Sequence, residues 1–111
     1  MNADMREYKE VVKAAVAKER EADKNWSWRI KAVTKTAARI GWGYLDFLNE
    51  DESFVVEVNY LSGEPTVVGT MPNGCQKYAF IGTNHWNDVS TIEGGIALVI
   101  HEMAYSAHRT Y

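Results

Sequence analysis

The strongest constraint on the fold is a change in the spacing of apolar residues along the chain. Near both ends they recur every three or four positions, which is typical of amphipathic helices. Between Phe54 and Tyr60 they recur every second position, which is typical of a half-buried β-strand. A chain of 111 residues has room for one hydrophobic core. The pattern therefore predicts a single α+β domain over residues 1–111.

Two helices are predicted before the strand segment. The first begins after Asp4, because Asp4 and Glu7 form the capping pattern that satisfies free amides at a helix start. The second is predicted to begin at Asn25 or Ser27 and to end at Gly41, because its apolar residues fall on one helical face. The residues of this face are Trp26, Ile30, Val33, Ala37 and Ile40.

A third helix is predicted near the C-terminal end of the sequence. Ser90 followed three residues later by Glu93 forms a second capping box at its start. The apolar residues that follow recur at helical spacing, so one face of this helix is expected to be buried. They are Ile92, Ile96, Val99, Ile100, Met103 and Ala107.

Between the helices, the sequence predicts an antiparallel meander of three to four strands. The strands are 54–60, 66–71, 75–81 and, with a helix as the alternative, 42–48. Pro72, Asn73 and Gly74 favour a tight turn, since proline has a preset φ and glycine accepts a positive φ. The expected architecture is a two-layer sandwich, in which two N-terminal helices and one C-terminal helix cover the sheet.

The cysteine content indicates a reducing compartment. Cys75 is the one cysteine of the sequence and cannot form a disulfide within the chain. The most apolar stretch, Ile96–Ile100, is far shorter than the roughly 20 residues that cross a bilayer. We therefore expect a cytoplasmic protein with no membrane segment and no secretory leader.

Charge is distributed unevenly along the chain. Residues 1–39 contain ten of the twelve lysines and arginines, whereas residues 40–111 contain nine of the fifteen acidic residues. This asymmetry predicts either a basic face that binds an anionic partner or two copies that associate head to tail. On the predicted second helix, one basic face comprises Lys24, Trp28, Lys31, Lys35 and Arg39. A solvated face, a protein partner and nucleic acid are all open interpretations, since lysines neutralise phosphates and an exposed tryptophan stacks on bases.

Aromatic residues suggest a second contact surface. Four tryptophans and six tyrosines are more than a core of this size needs, and both types are enriched at protein interfaces. Trp42 and Trp86 are the candidates for a partner-binding role, because their neighbours are glycines or polar residues. The alternative is that these two side chains close the ends of the sheet, whereas Trp26 is expected in the core.

A polar loop and a glycine pair suggest a small-ligand site. The candidate residues are His85, Asp88, Gly94, Gly95 and His101. Glycines at a helix start leave space for a ligand or a second subunit to approach, and free amides there favour an anion. The competing interpretation is that the glycines let the helix pack closely on the sheet.

Catalytic and metal-binding patterns are missing from the sequence. His101 and His108 are two helical turns apart, about 10.5 Å, so they cannot chelate one ion by themselves. Tyr105 stands where a zinc-protease helix would carry its second histidine. No catalytic residue, metal or cofactor is therefore predicted.

The leading hypothesis is a small non-enzymatic protein-binding module that regulates or inhibits a partner. Its size is that of accessory proteins carried by phages and other mobile elements. The chain is also predicted to form a homodimer. Nucleic-acid binding through the basic helix face is one alternative. A small-ligand site or enzyme around His85, Asp88 and His101 is the other.

Overall fold

An antiparallel meander of five strands forms the centre of the fold. The computed structural model describes residues 5–22, 24, 26–44, 53–59, 65–82 and 91–110. The elements are α1 (Met5–Ala22), β1 (Trp26–Val33), β2 (Ala37–Tyr44), β3 (Phe54–Asn59), β4 (Thr66–Thr70), β5 (Gln76–Phe80) and α2 (Ile92–Thr110). The described strands pair in sequence order, so β1 and β5 are the edges of the sheet that these strands form.

Both helices lie on the same face of this sheet. Helix α1 contacts β1 and α2, whereas α2 contacts β3, β4 and β5. Apolar side chains from both helices and all five strands meet in one buried cluster, which includes Val12, Trp28, Phe54, Ala79 and Ile100. The α+β class is therefore confirmed, with five strands and two helices over the described residues rather than three to four strands and three helices.

The predicted second helix is wrong, because the segment forms the β1–β2 hairpin. Trp28 pairs with Trp42 and Ile30 pairs with Ile40, which places these side chains on the face toward the helices. The register then shifts by one residue at Lys31, a β-bulge that changes the side-chain alternation. Gly41, predicted to end a helix, is a buried residue within β2.

The turn of this hairpin is held by a threonine. The amide of Thr34 donates a hydrogen bond to the Ala37 carbonyl at 2.7 Å. The Ala37 amide in turn donates to the Thr34 hydroxyl oxygen at 3.1 Å. A side chain thus satisfies a backbone group that a turn would otherwise leave to water.

The later elements agree with their sequence patterns. Phe54, Val56 and Val58 are buried on one face of β3, as their alternation predicts. The turn between β4 and β5 is also confirmed, because Gly74 has φ of 92° and its amide donates to the Met71 carbonyl. These strands provide the surface on which α2 packs.

The start of α2 differs in one detail from the prediction. Thr91 supplies the capping oxygen, since its hydroxyl accepts a hydrogen bond from the Gly94 amide at 3.0 Å. Ser90, the predicted cap, lies outside the described residues. The predicted buried stripe is otherwise present, although Ile92 at the start of the helix is only half-buried.

Candidate binding site

A cleft opens between α1 and β1 beside the edge of the sheet. Its volume is about 300 Å³, at the lower end of the range for small-ligand pockets. Side chains from one helix and one strand form it, and they are Lys9, Lys13, Ile30, Lys31, Ala32 and Val33. This arrangement places three basic groups around an apolar wall.

Helix α1 fixes the position of two of these lysines. Lys9 and Lys13 are one turn apart and share a helical face, and each follows a residue that anchors the helix in the core. Tyr8 is 3% exposed and its hydroxyl donates a hydrogen bond to the Val56 carbonyl at 2.8 Å. Val12 is completely buried. The two lysines therefore stand on a helix that cannot rotate without breaking buried contacts.

Lys13 makes a weak ion pair along the surface of α1. Lys13 Nζ lies 4.0 Å from Glu10 Oε1, and both side chains are more than half exposed. A pair of this kind contributes about 0–1 kcal/mol because water screens it. An anionic ligand that approaches Lys13 therefore competes with a weak contact.

The strand side of the cleft is the backbone edge of β1. Residues 30–33 line the cleft, and β1 has β2 as its single neighbour among the described strands. The cleft therefore lies beside an edge of the sheet. The bulge at Lys31 lies in the middle of this edge.

Chemically, the cleft suits an anion that carries apolar groups. Ile30 and Val33 are half-buried and pack against the core, which gives the cleft an apolar floor. The ammonium groups of lysines are flexible and strongly hydrated point charges that donate to carboxylates or phosphates. A ligand that matches the site must therefore combine negative charge with hydrocarbon surface.

The basic residues predicted to share one helix face are dispersed in the structure. Lys31 lines the cleft, and Lys35 is exposed in the β1–β2 turn next to it. Arg39 points to the sheet face away from the helices, where its Nε donates to Ser53 Oγ at 3.4 Å. Lys24 is exposed between α1 and β1. The predicted ridge does not form because the helix that would carry it is a hairpin.

Trp28, the aromatic member of that ridge, belongs to the core. It is 1% exposed and packs edge-on against Phe54 with ring centroids 5.8 Å apart. Trp42 is half-buried in the same cluster, and Trp26, which was expected in the core, is also half-buried and stacks on it at 3.9 Å. Trp28 therefore cannot stack on a nucleotide base or contact a partner in this conformation.

The predicted ligand residues on α2 make hydrogen bonds within the protein. The amides of Gly94 and Gly95 donate to the hydroxyl and carbonyl oxygens of Thr91. His101 is exposed, and its Nδ1 lies 2.9 Å from Glu19 Oε1 of α1. The remaining candidates, His85, Trp86 and Asp88, lie outside the described residues, as does the side chain of His108.

Sequence reasoning missed Lys9 and Lys13. A signal was present, because the two lysines stand one turn apart directly after the apolar residues Tyr8 and Val12. The surface that these lysines share with β1 could not be predicted from the sequence, because the edge position of β1 depends on the strand order of the whole sheet.

Three further features concern the described part of the chain alone. Its histidine, cysteine and carboxylate side chains form no group of three that could hold a metal ion. Neither helix has the length and apolar character needed to cross a membrane. Cys75 is exposed as a free thiol between the β4–β5 turn and β5.

Comparison with protein-family models, with curated proteins and with solved structures gives no match for this chain. The interpretation of the cleft therefore depends on its geometry and charge.

Proposed function

We propose that this chain is a small non-enzymatic protein-binding module of the cytoplasm that regulates or inhibits the protein it captures. The observation that carries the proposal is the cleft between α1 and β1, where Lys9, Lys13 and Lys31 surround an apolar floor at a sheet edge. Edge strands are surfaces at which other chains add. The residues that we propose for partner binding include Lys31 and Lys35, which the sequence analysis also identifies, whereas the predicted role of Trp86 concerns a residue outside the described ones.

A protein ligand suits this surface better than nucleic acid does. Half of the lining residues are aliphatic, and single-stranded nucleic acid binds through basic groups combined with exposed aromatic rings. Trp28, the ring predicted to stack on bases, is buried. Nucleic-acid binding remains the second candidate, because three lysines converge on one cleft.

The alternative of a ligand site or enzyme depends on the sequence alone. Of its three central residues, His101 is hydrogen-bonded to Glu19, while His85 and Asp88 lie outside the described residues.

The head-to-tail homodimer is a further proposal, supported by the uneven distribution of charge along the sequence. Analytical ultracentrifugation across a salt series tests it, because association driven by opposite charges weakens as salt rises.

Charge reversal in the cleft tests the principal proposal. We expect the Lys9→Glu/Lys13→Glu variant to lose capture of the partner protein from nuclease-treated lysate, because a carboxylate then repels an acidic ligand. The matched control is Lys18→Glu/Lys24→Glu, which makes the same charge change at exposed positions outside the cleft lining. Circular dichroism confirms that both variants fold.

The comparison between the two variants decides the outcome. Loss of capture in the cleft variant with retention in the control supports a protein-binding cleft. Equal capture by both variants contradicts it. Recovery that disappears with nuclease treatment favours the nucleic-acid candidate instead.

A further inference from the structure

The edge of β1 that faces away from β2 has the kind of backbone groups that an added strand uses. In a sheet ordered β1 to β5, the amides and carbonyls of β1 that point away from β2 face no further strand among the described residues. An extended segment gains main-chain hydrogen bonds by adding to such an edge. Residues 30–33 are the part of this edge that lines the cleft.

The positive charge of the lysines around the edge determines which kind of segment can pair with β1. Three positive charges repel the same edge of a second copy, because both copies would bring Lys9, Lys13 and Lys31 together. The same charges attract carboxylates.

The apolar floor adds a second requirement. Side chains of an added strand alternate, so one set faces the helix side of the sheet, where Ile30 and Val33 lie. Aliphatic residues suit that side. Acidic residues in the alternate positions point away from α1 and stay in water, where the lysine charges around the edge attract them over about one Debye length, about 8 Å.

We infer that the occupant of the cleft is an extended segment of a partner protein with alternating acidic and aliphatic residues, and that it adds as a sixth strand along β1. This inference rests on the proposed function and names the chemistry and the conformation of the ligand.

Synthetic peptides test the charge requirement. The probe is an acetylated and amidated peptide of about eight residues in which glutamate alternates with valine, since strands of five to six residues are usual. We expect it to bind with an affinity that falls at least tenfold in Lys9→Glu/Lys13→Glu but changes less than twofold in Lys18→Glu/Lys24→Glu. A peptide with lysine in place of glutamate should bind at least tenfold more weakly to the unaltered protein.

Backbone methylation tests the strand requirement. One peptide carries N-methyl groups on the glutamate amides and another carries them on the valine amides, so each has one blocked edge and one free edge. Strand addition uses one edge of the peptide, so one isomer should retain its affinity. The other isomer should bind about tenfold or more weakly, as expected for two or three lost hydrogen bonds. Isothermal titration calorimetry measures both.

The outcomes separate the inference from the proposed function. If both methylated isomers bind equally well, the lysines attract the peptide without strand pairing and the inference is overturned. If no acidic peptide binds although partner capture still depends on Lys9 and Lys13, the proposed protein-binding function is supported and the inference about the ligand is overturned. Tighter binding of single-stranded DNA than of the acidic peptide, lost in the cleft variant, overturns the inference in favour of nucleic acid.

Discussion

The two helices cover the same sheet face but pack on it differently. Beneath α2, a methyl group at Gly69 of β4 would lie against Val99 and only 2.7 Å from Met103 Sδ, so the contact leaves no free space. Beside α1, a cleft of about 300 Å³ separates the helix from the edge of β1. The difference shows that α2 packs tightly on the sheet at Gly69, whereas space remains between α1 and the edge of β1, where we propose that a ligand binds.

The largest expected effect on stability comes from adding a methyl group at the contact between β4 and α2. Gly69→Ala should lower the free energy of unfolding by about 1–3 kcal/mol, because overpacking forces α2 away from β4. Urea denaturation measures this loss. Adding Val99→Ala removes one of the clashing methyl groups, so the double variant should be more stable than the sum of the single losses predicts. Strict additivity would show that the clash does not exist.

A smaller loss is expected where α1 is attached to the sheet. Tyr8→Phe removes the hydrogen bond to the Val56 carbonyl and should cost about 0.5–1.5 kcal/mol. A stability change near zero would mean that this bond does not fix α1.

Tyr8 also predicts the response of stability to alkaline pH. Burial, assisted by the Glu57 carboxylate, raises the pKa of Tyr8 well above its ordinary value of 10.0. The unfolded chain therefore loses this proton first, and stability declines as pH rises above about 10. Denaturation at pH 9 and pH 11 should show a smaller decline in Tyr8→Phe than in the unaltered protein. An equal decline would assign the effect to other groups.

A modest effect is expected at the contact between the two helices. His101 Nδ1 and Glu19 Oε1 are 2.9 Å apart, but the histidine side chain is 66% exposed. A double-mutant cycle with His101→Gln and Glu19→Gln should give a coupling of about 0.2–1 kcal/mol, as for other exposed pairs. A larger coupling would mean that this pair contributes more to the contact between α1 and α2 than an exposed ion pair does.

The smallest effect on stability is expected in the cleft itself. Ala32 is exposed and lines the cleft, so Ala32→Val should change the free energy of unfolding by less than about 0.5 kcal/mol. The added methyl groups occupy ligand space, and we expect weaker binding of the acidic peptide. Thermal denaturation and calorimetry measure the two effects separately. A large loss of stability would contradict the idea that the cleft is open.

The elements that the sequence predicts well are those with an uninterrupted period. The buried stripe of α2 and the alternation in β3 follow the 3.6- and two-residue repeats closely. The β4–β5 turn is predictable because Pro72, Asn73 and Gly74 have backbone preferences that suit it. In each case a local pattern and the tertiary structure agree.

The β1–β2 hairpin was missed for two physical reasons. Its turn contains Thr34, Lys35 and Thr36, so it has none of the glycine, proline or asparagine residues that usually indicate a turn. The bulge at Lys31 then places Ile30 and Val33 on the same face at a spacing of three, which imitates a helix. The aromatic and β-branched content of the segment was the signal that favours strands.

The candidate site was predictable only in part. Lys31 and Lys35 were identified from charge, but Lys9 and Lys13 join them only because α1 lies beside β1. Which strand forms an edge is a property of the complete sheet, and no local pattern encodes it.

Amide hydrogen exchange of the two sheet edges tests the central claim most directly. The protein would be compared with and without saturating glutamate–valine peptide. Strand addition predicts slower exchange at those amides of residues 30–33 that point away from β2, with β5 amides at 76–80 unchanged. Unchanged exchange along β1, or protection confined to β5, would contradict the account.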